Sequence, residues 1–493
     1  MIATHLPFQR MLLGVVASCL LFGLAPGRPV SAQSLSPTDP GWPAGPFCGA
    51  SPFIGDGSPT DRALFPAPAR PDLFQERQIS YVNASAATVN EAALEAEYYS
   101  FDELQAEMKK LAWTKGSVRI VPYGSLWADM TYSTQPVYPG AYTMWVESAQ
   151  THHEPAFVID ARRTRLGVDL SGPTVPIGCG FKSGGKVEID FFGSSVTENT
   201  AGILLRHAYW EAKNEYWRFL VGQTWDLFSP LYARTLSYSV GWQGGNIGYR
   251  RVQFRAERYL NFSDDFQVAI QGALAQDIAN DFTVPAIAGV IREPSDWPIV
   301  EGRIGTTLGP RGKGCRPVEL GVSGHIGETG FHLPAVFPGP GDDLRFRTWS
   351  LNADASVPIT DKLSVQGELF IGANLSPFLG GIGQGVSRYL QVPIRDRGGW
   401  FDVQYEWTKK VRTRFGWGVD NPLDQDILVG RTFNEFIYGN IEVAITERLT
   451  SGIELTYWKT LYADDRLVVP PGTVKITEPG ETFNTNWMVK WSF

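Results

Sequence analysis

From Ser117 to Phe493 the hydrophobic period of this chain is two, and the links between its alternating segments are short and long by turns. Side chains of a strand point to opposite faces in succession, so in KVEIDF Val187, Ile189 and Phe191 share one face and Lys186, Glu188 and Asp190 the other. The same rule separates Val252, Phe254 and Ala256 from Arg251, Gln253, Arg255 and Glu257, and Phe401, Val403, Tyr405 and Trp407 from Asp402, Gln404 and Glu406. Sixteen such segments can be read, near 118–130, 157–170, 186–192, 203–213, 216–224, 249–259, 266–276, 297–309, 317–328, 345–357, 363–375, 399–409, 411–420, 431–446, 449–458 and 484–493. Many run to about ten residues, the length a tilted strand needs to cross a bilayer.

The links after even-numbered segments are mostly short, as at 213–215, 261–265, 358–362, 408–410 and 446–448, and those after odd-numbered segments long, as at 131–156, 225–248, 277–296, 376–398 and 459–483. A sandwich has no reason to alternate in this way. An even-stranded antiparallel barrel with turns at one end and loops at the other does. The fold expected is therefore all-β, a transmembrane antiparallel barrel of about sixteen strands over 117–493. Two places fit less well. The link 171–185, with Cys179, is long for the turn side, and Pro122 removes a ladder donor from the first strand unless it marks a bulge. The count holds to within two strands.

Ahead of the barrel the chain changes character twice. Arg10, the apolar run Met11–Leu24 and the small residues Val30, Ser31 and Ala32 read as a signal peptide over 1–32. Cys19 lies inside the apolar run, which argues against a lipoprotein signal. Cleavage removes Arg10 and Arg28 but no acid, so the formal net charge moves from -8 to -10, which sets nucleic acid aside as a partner. Residues 33–87 are rich in Pro and Gly and read as a linker. At 88–115 a short helical segment is expected: Ser100 and Glu103 form a capping box, and Phe101, Leu104, Met108 and Leu111 follow at helical spacing. That stripe suits either a coiled-coil seam between copies or an amphipathic helix on its own domain.

Composition narrows the chemistry. At 19% charged and 13% aromatic, with 52 Gly and 34 Pro, the chain suits strands and turns. Cys48, Cys179 and Cys315 are far apart and imply no disulfide framework, and no CxxC, GxSxG or Gly-rich phosphate loop occurs. His152, His153 and Glu154 are the best metal candidates, but adjacent histidines point apart; His207 has no evident serine partner. No metal, cofactor or enzymatic activity is expected.

About sixteen strands enclose an aqueous lumen, and its wall carries the function. By strand parity Arg163, Arg165, Arg218, Arg251, Arg255 and Arg303 face inward with Asp169, Glu188, Glu257, Glu319, Asp354, Glu368, Asp402, Glu406, Glu442 and Glu454. Most of the basic residues fall on strands two to six and most acids on strands nine to fifteen, which predicts a field across the channel. The long link Gly222–Gly248, with Trp225, Asp226 and Arg234, is a candidate to fold inward and narrow the passage. At the C-terminus, NWMVKWSF places Trp487, Val489, Trp491 and Phe493 toward lipid and Asn486 and Lys490 toward the lumen.

The helical segment before the barrel, ARRTRLGVDLSGP, LLRHAYWEA followed by WRFLVGQTW, GYRRVQFRAE and the terminal Phe493 resemble the DcaP-like trimeric porins of the Gram-negative outer membrane, over about Leu94 to Phe493. The resemblance implies homotrimeric sixteen-stranded channels for passive diffusion of small polar solutes, often anionic, dicarboxylates among them. It also implies contact with outer-membrane lipids, and a terminal aromatic, Phe493, read by the barrel assembly machinery. The competing reading is a structural or adhesive barrel whose periplasmic segment tethers the cell wall.

Overall fold

The computed structural model describes residues 113–150, 154–176, 180–193, 202–278, 291–293, 295–311, 315–332, 343–387, 390–463 and 476–493. Sixteen strands form the wall: β1 Val118–Ser133, β2 Arg165–Val175, β3 Phe181–Asp190, β4 Leu204–Lys213, β5 Trp217–Trp225, β6 Arg250–Ser263, β7 Phe266–Ala275, β8 Ile299–Leu308, β9 Val318–His332, β10 Asp343–Pro358, β11 Leu363–Ala373, β12 Arg395–Glu406, β13 Val411–Asp420, β14 Arg431–Ala444, β15 Leu449–Tyr462 and β16 Gly480–Ser492. Each pairs antiparallel with the next, and β16 returns to β1 in the register Ser125↔Ser492 through Ser133↔Asn484. The sheet is closed, and every expected segment contains a strand.

Alternation places the apolar residues outside. Phe254, Leu455 and Phe483 are each more than 60% exposed, and Val187, Ile304, Val322, Leu351, Ile371, Phe415, Ile453 and Trp487 are exposed with them around the circumference. A belt of that extent would drive aggregation in water and is satisfied by hydrocarbon. Pairing every backbone group around a ring is what makes the wall tenable there. The residues between them, such as Gln253, Glu257, Asp402 and Asn440, are buried on the inside.

The short ends explain themselves locally. Thr360, Thr408 and Thr446 each use their hydroxyl to accept backbone N–H groups two and three residues on, from Lys362 and Leu363, Lys410 and Val411, and Arg448 and Leu449. Asn214 does the same for Tyr216 and Trp217 with its amide oxygen. Such side-chain turns fix strand reversal without help from a core.

Three details differ from the sequence reading. The link expected over 171–185 is shorter, because β2 runs to Val175 and β3 begins at Phe181; Cys179 lies outside the described residues. Pro122 sits opposite Val168 with no register shift, and bonding of β1 to the C-terminal strand begins only at Gly124, so no bulge forms there. Trp113–Lys115, where the expected helix would end, is instead a short strand on Val118–Ile120. The rest of that helix, the signal peptide, the linker with Cys48, and His152 and His153 lie outside the described residues. Cys315 is free and half-buried.

Candidate functional site

The link between β5 and β6, residues 226–249, folds into the lumen, and wall carboxylates hold it there. Glu301 on β8 accepts the backbone N–H of Leu227 at 2.7 Å, Glu368 on β11 that of Leu231 at 2.8 Å, Asp402 on β12 that of Arg234 at 2.9 Å, and Glu454 on β15 that of Leu236 at 2.6 Å. Amide donors from the wall take the loop's carbonyls: Gln366 bonds Tyr232 O, Asn440 bonds Arg234 O, Asn486 bonds Leu236 O and Asn434 bonds Gln243 O. A backbone with no ladder of its own thus has its polar groups satisfied by one row of inward side chains after another.

Glycine makes the close approach possible. Gly245, at φ +117°, lies so near β12 that a Cβ there would stand 2.2 Å from the carbonyl oxygen of Gly399. A second inward segment, Asn374 to Gly385, supports the first: Gly248 donates to Phe378 O at 2.8 Å, Gln243 to Leu379 O at 3.0 Å, and Arg251 reaches Pro377 O at 3.2 Å. A third comes from the first long link, where Met144, Trp145 and Val146 are buried and Trp145 and Tyr138 stack at 4.1 Å.

Beside the loop, the remaining lumen forms the candidate constriction. Arg163, Arg165, Arg206, Arg234, Arg412, Arg414 and Lys490 line it with a single acid, Glu442, and the aromatic rings of Trp127, Trp225, Tyr232, Tyr238 and Trp242 close its sides. Several of these cations are fixed by their neighbours, some by rings and some by carboxylates. Arg163 stacks 4.0 Å above Trp127 and donates to Leu236 O, while Lys490 lies 4.7 Å from the same ring. Arg206 is held at 2.6 Å by Glu188 and 3.0 Å by Asp190, and Arg412 and Arg414 share Glu442 at 3.3 and 3.2 Å. In the loop, burial lowers the Arg234 guanidinium's pKa while Asp402 supports its charge; burial beside Asp190 pushes the Tyr238 phenol up to about 12, so it stays a neutral donor.

The sequence candidates divide. Arg163, Arg165, Trp225, Arg234 and Glu442 meet at the constriction. Arg163 arrives there from a break: Ala156–Asp160 pairs with the upper part of β1, then Ala161–Thr164 turn, and the registers on either side differ by one residue. Arg218 bridges Glu211 at 2.7 Å and Glu257 at 3.2 Å, Arg255 lies 3.5 Å from Glu257, and Arg303 pairs with Asp354 at 2.7 Å; none of them lines the constriction. Arg251 is fully buried against Asp226 at 2.6 Å, behind the loop. The expected field between a basic and an acidic wall is not the arrangement found. Glu368, Asp402 and Glu454 of the acidic side are occupied by the loop, and Arg412, Arg414 and Lys490 put positive charge on that side. Arg206, Arg412 and Arg414 are not among the sequence candidates, although parity with Asp420 on β13 identifies the last two as inward. Among the described residues no group of acids, histidines and cysteines has metal-binding geometry.

No protein-family model matches the chain, and no curated protein matches it by sequence. Among solved structures it is similar to the outer membrane channel DcaP of Acinetobacter baumannii, with a TM-score of 0.59 and 17% identity over 77% of this chain and 99% of that one. More distant likenesses are an anion-selective porin from Comamonas acidovorans, TM-score 0.49 and 13% identity over 76% and 100% of the two chains, and OmpT of Vibrio cholerae, TM-score 0.46 and 13% identity over 78% and 100%. The closed sixteen-strand wall and the likeness over nearly the whole of the Acinetobacter channel give one structural conclusion: this chain has the DcaP channel fold.

Proposed function

We propose that the protein is a diffusion channel of the outer membrane, DcaP-like and homotrimeric, that passes small hydrophilic solutes and prefers anions such as dicarboxylates. The observation that carries this reading is the constriction, whose lining holds seven cationic side chains and one carboxylate, while Glu188, Asp190 and Asp402 pair two of those cations from outside it. In a narrow passage with low-dielectric walls, such a ring concentrates anions and repels cations. Stacking on Trp127 holds the Arg163 side chain in place, with Lys490 near the same ring. The apolar outer belt suits the membrane placement, and the exported N-terminus read from the sequence suits the same compartment.

Reconstitution in planar bilayers tests the proposal. Stepwise conductance and a reversal potential of the anion-selective sign are expected in a potassium chloride gradient, with succinate reducing chloride current by competing for the constriction. A protein that inserts yet passes no current would return the structural-barrel reading to first place. Cross-linking in native membranes reads the trimer separately.

A further inference from the structure

Arg250 opens β6 and is 2% exposed, and none of its three guanidinium nitrogens has a hydrogen-bond acceptor among the described residues. Its head lies near two rings instead, 4.7 Å from the centre of Trp225 and 4.9 Å from that of Tyr249. Stacking stabilises the faces of a guanidinium but leaves its five N–H donors, which lie in the plane, unsatisfied. The Trp225 indole Nε1 is likewise buried without an acceptor.

The nearby carboxylates are committed elsewhere. Asp226 accepts from Arg251 Nε at 2.6 Å, Arg251 Nη2 at 3.1 Å and Tyr249 N at 2.9 Å. Asp190 takes Arg206 Nη1 at 3.0 Å, the Tyr238 hydroxyl at 3.1 Å and the Phe192 N–H at 3.1 Å. His207 turns its Nδ1 to the Thr224 hydroxyl at 3.1 Å. An arginine does not give up its proton on burial, so a positive charge remains that this part of the fold does not neutralise. Of the acceptors that could meet those donors, a single-atom anion needs the least room.

We infer that Arg250, with the Trp225 indole N–H beside it, binds a small inorganic anion of halide size where β6 leaves the inward loop. The ion completes the charge of the buried guanidinium, and the guanidinium holds Trp225, which lines the constriction. The site is thus a structural support of the passage and not a station along it. It stands whether or not the channel selects anions.

Crystals of the full chain grown with bromide in place of chloride provide the test. An anomalous peak in contact with the Arg250 guanidinium is expected, and it is lost in Arg250→Met. In parallel, unfolding temperature is followed as chloride replaces gluconate at constant ionic strength. Wild type gains stability with chloride, the folded-to-unfolded ratio rising about a hundredfold at about 100 times Kd, and R250M does not respond. Absence of the peak in wild type, or the same peak or chloride response in R250M, overturns the site. Should R250M fail to assemble, the wild-type bromide map decides alone, its peak supporting the site and its absence refuting it.

Discussion

Asp402 on β12 accepts the backbone N–H of Arg234 at 2.9 Å and lies 3.3 Å from that residue's guanidinium, so one wall carboxylate fixes both the path of the inward loop and the position of a cation at the constriction. Asp402→Asn keeps the shape and removes the charge. A hydrogen bond to a charged group contributes about 1.5–3 kcal/mol, so a drop in unfolding temperature is expected. The channel effect should be larger and noisier single-channel current, because Arg234 loses its tether. Unchanged current with unchanged stability would mean that Glu301, Glu368 and Glu454 hold the loop without it.

Charge selectivity should follow the cations at the constriction and not those behind the loop. Arg165→Gln with Arg414→Gln removes two of the seven cations from the passage. Reversal potentials in a salt gradient should move toward zero by a clear margin. Arg251→Gln is the contrasting variant: Arg251 is paired with Asp226 and fully buried, so its loss should lower stability by about 3–5 kcal/mol, the usual effect of orphaning a buried ion, through Asp226. If R251Q shifts the reversal potential as strongly as the double variant, the assignment of the selective residues is wrong.

Gly245 can be replaced only by moving the loop. At φ +117° a side chain is already strained, and its Cβ would meet the backbone of Gly399. Gly245→Ala should lower stability by at least about 1 kcal/mol and widen the passage, since the Trp242–Ile247 stretch must lift off β12 and β13. Higher conductance together with a lower unfolding temperature is the expected pair of readings.

At the loop end, Arg395 Nη2 and Nε donate to Asp426 at 2.8 and 2.9 Å, and the Arg395 N–H donates to it as well. These bonds, the side-chain ones first, hold the Asp426 carboxyl's pKa below its usual value. A depressed folded pKa means that the stabilisation is fully present above the unfolded value of about 3.9 and is lost as pH falls through the lower folded value. Wild type and Asp426→Asn should therefore differ in unfolding temperature at neutral pH, and the gap should begin to close as pH falls below about 4. A gap that persists in acid would show that the effect of D426N is one of packing.

The wall was legible in the sequence because lipid outside and water inside impose the same alternation on every strand; a residue such as Phe254 or Glu257 has one face open to it. Break points were not legible. Arg163 reaches the lumen through the turn at Ala161–Thr164, and Arg206 and His207 are both buried because the register slips between Glu188 and Ile189. Parity counts inward charges but does not say what they touch. Glu368, Asp402 and Glu454 look from sequence like an acidic lining, and the loop backbone that occupies them comes from more than a hundred residues away. The inward folding of Asn374–Gly385 has no signal in the sequence beyond its glycines, because its burial depends on the first loop already being in place.

The seam offers the sharpest separation of two roles for one residue. Phe493 donates its N–H to Gly124 O at 3.0 Å and accepts the Gly124 N–H at 3.2 Å, the final pair of bonds that closes β16 on β1. Its ring lies over Gly124, where a Cβ would come within 2.5 Å of it, and within 5.5 Å of Trp491. Deleting Phe493 removes both the bonds and the ring; Phe493→Ala removes the ring alone. If the terminal aromatic acts as the assembly signal that the family resemblance implies, both variants should reduce the heat-modifiable barrel in outer membranes to a similar extent, while both still refold in detergent. If its role is only to close the seam, F493A should assemble nearly as well as wild type in cells. The deletion should then be defective in both settings, since Gly124 would lose its partner at the edge of the sheet.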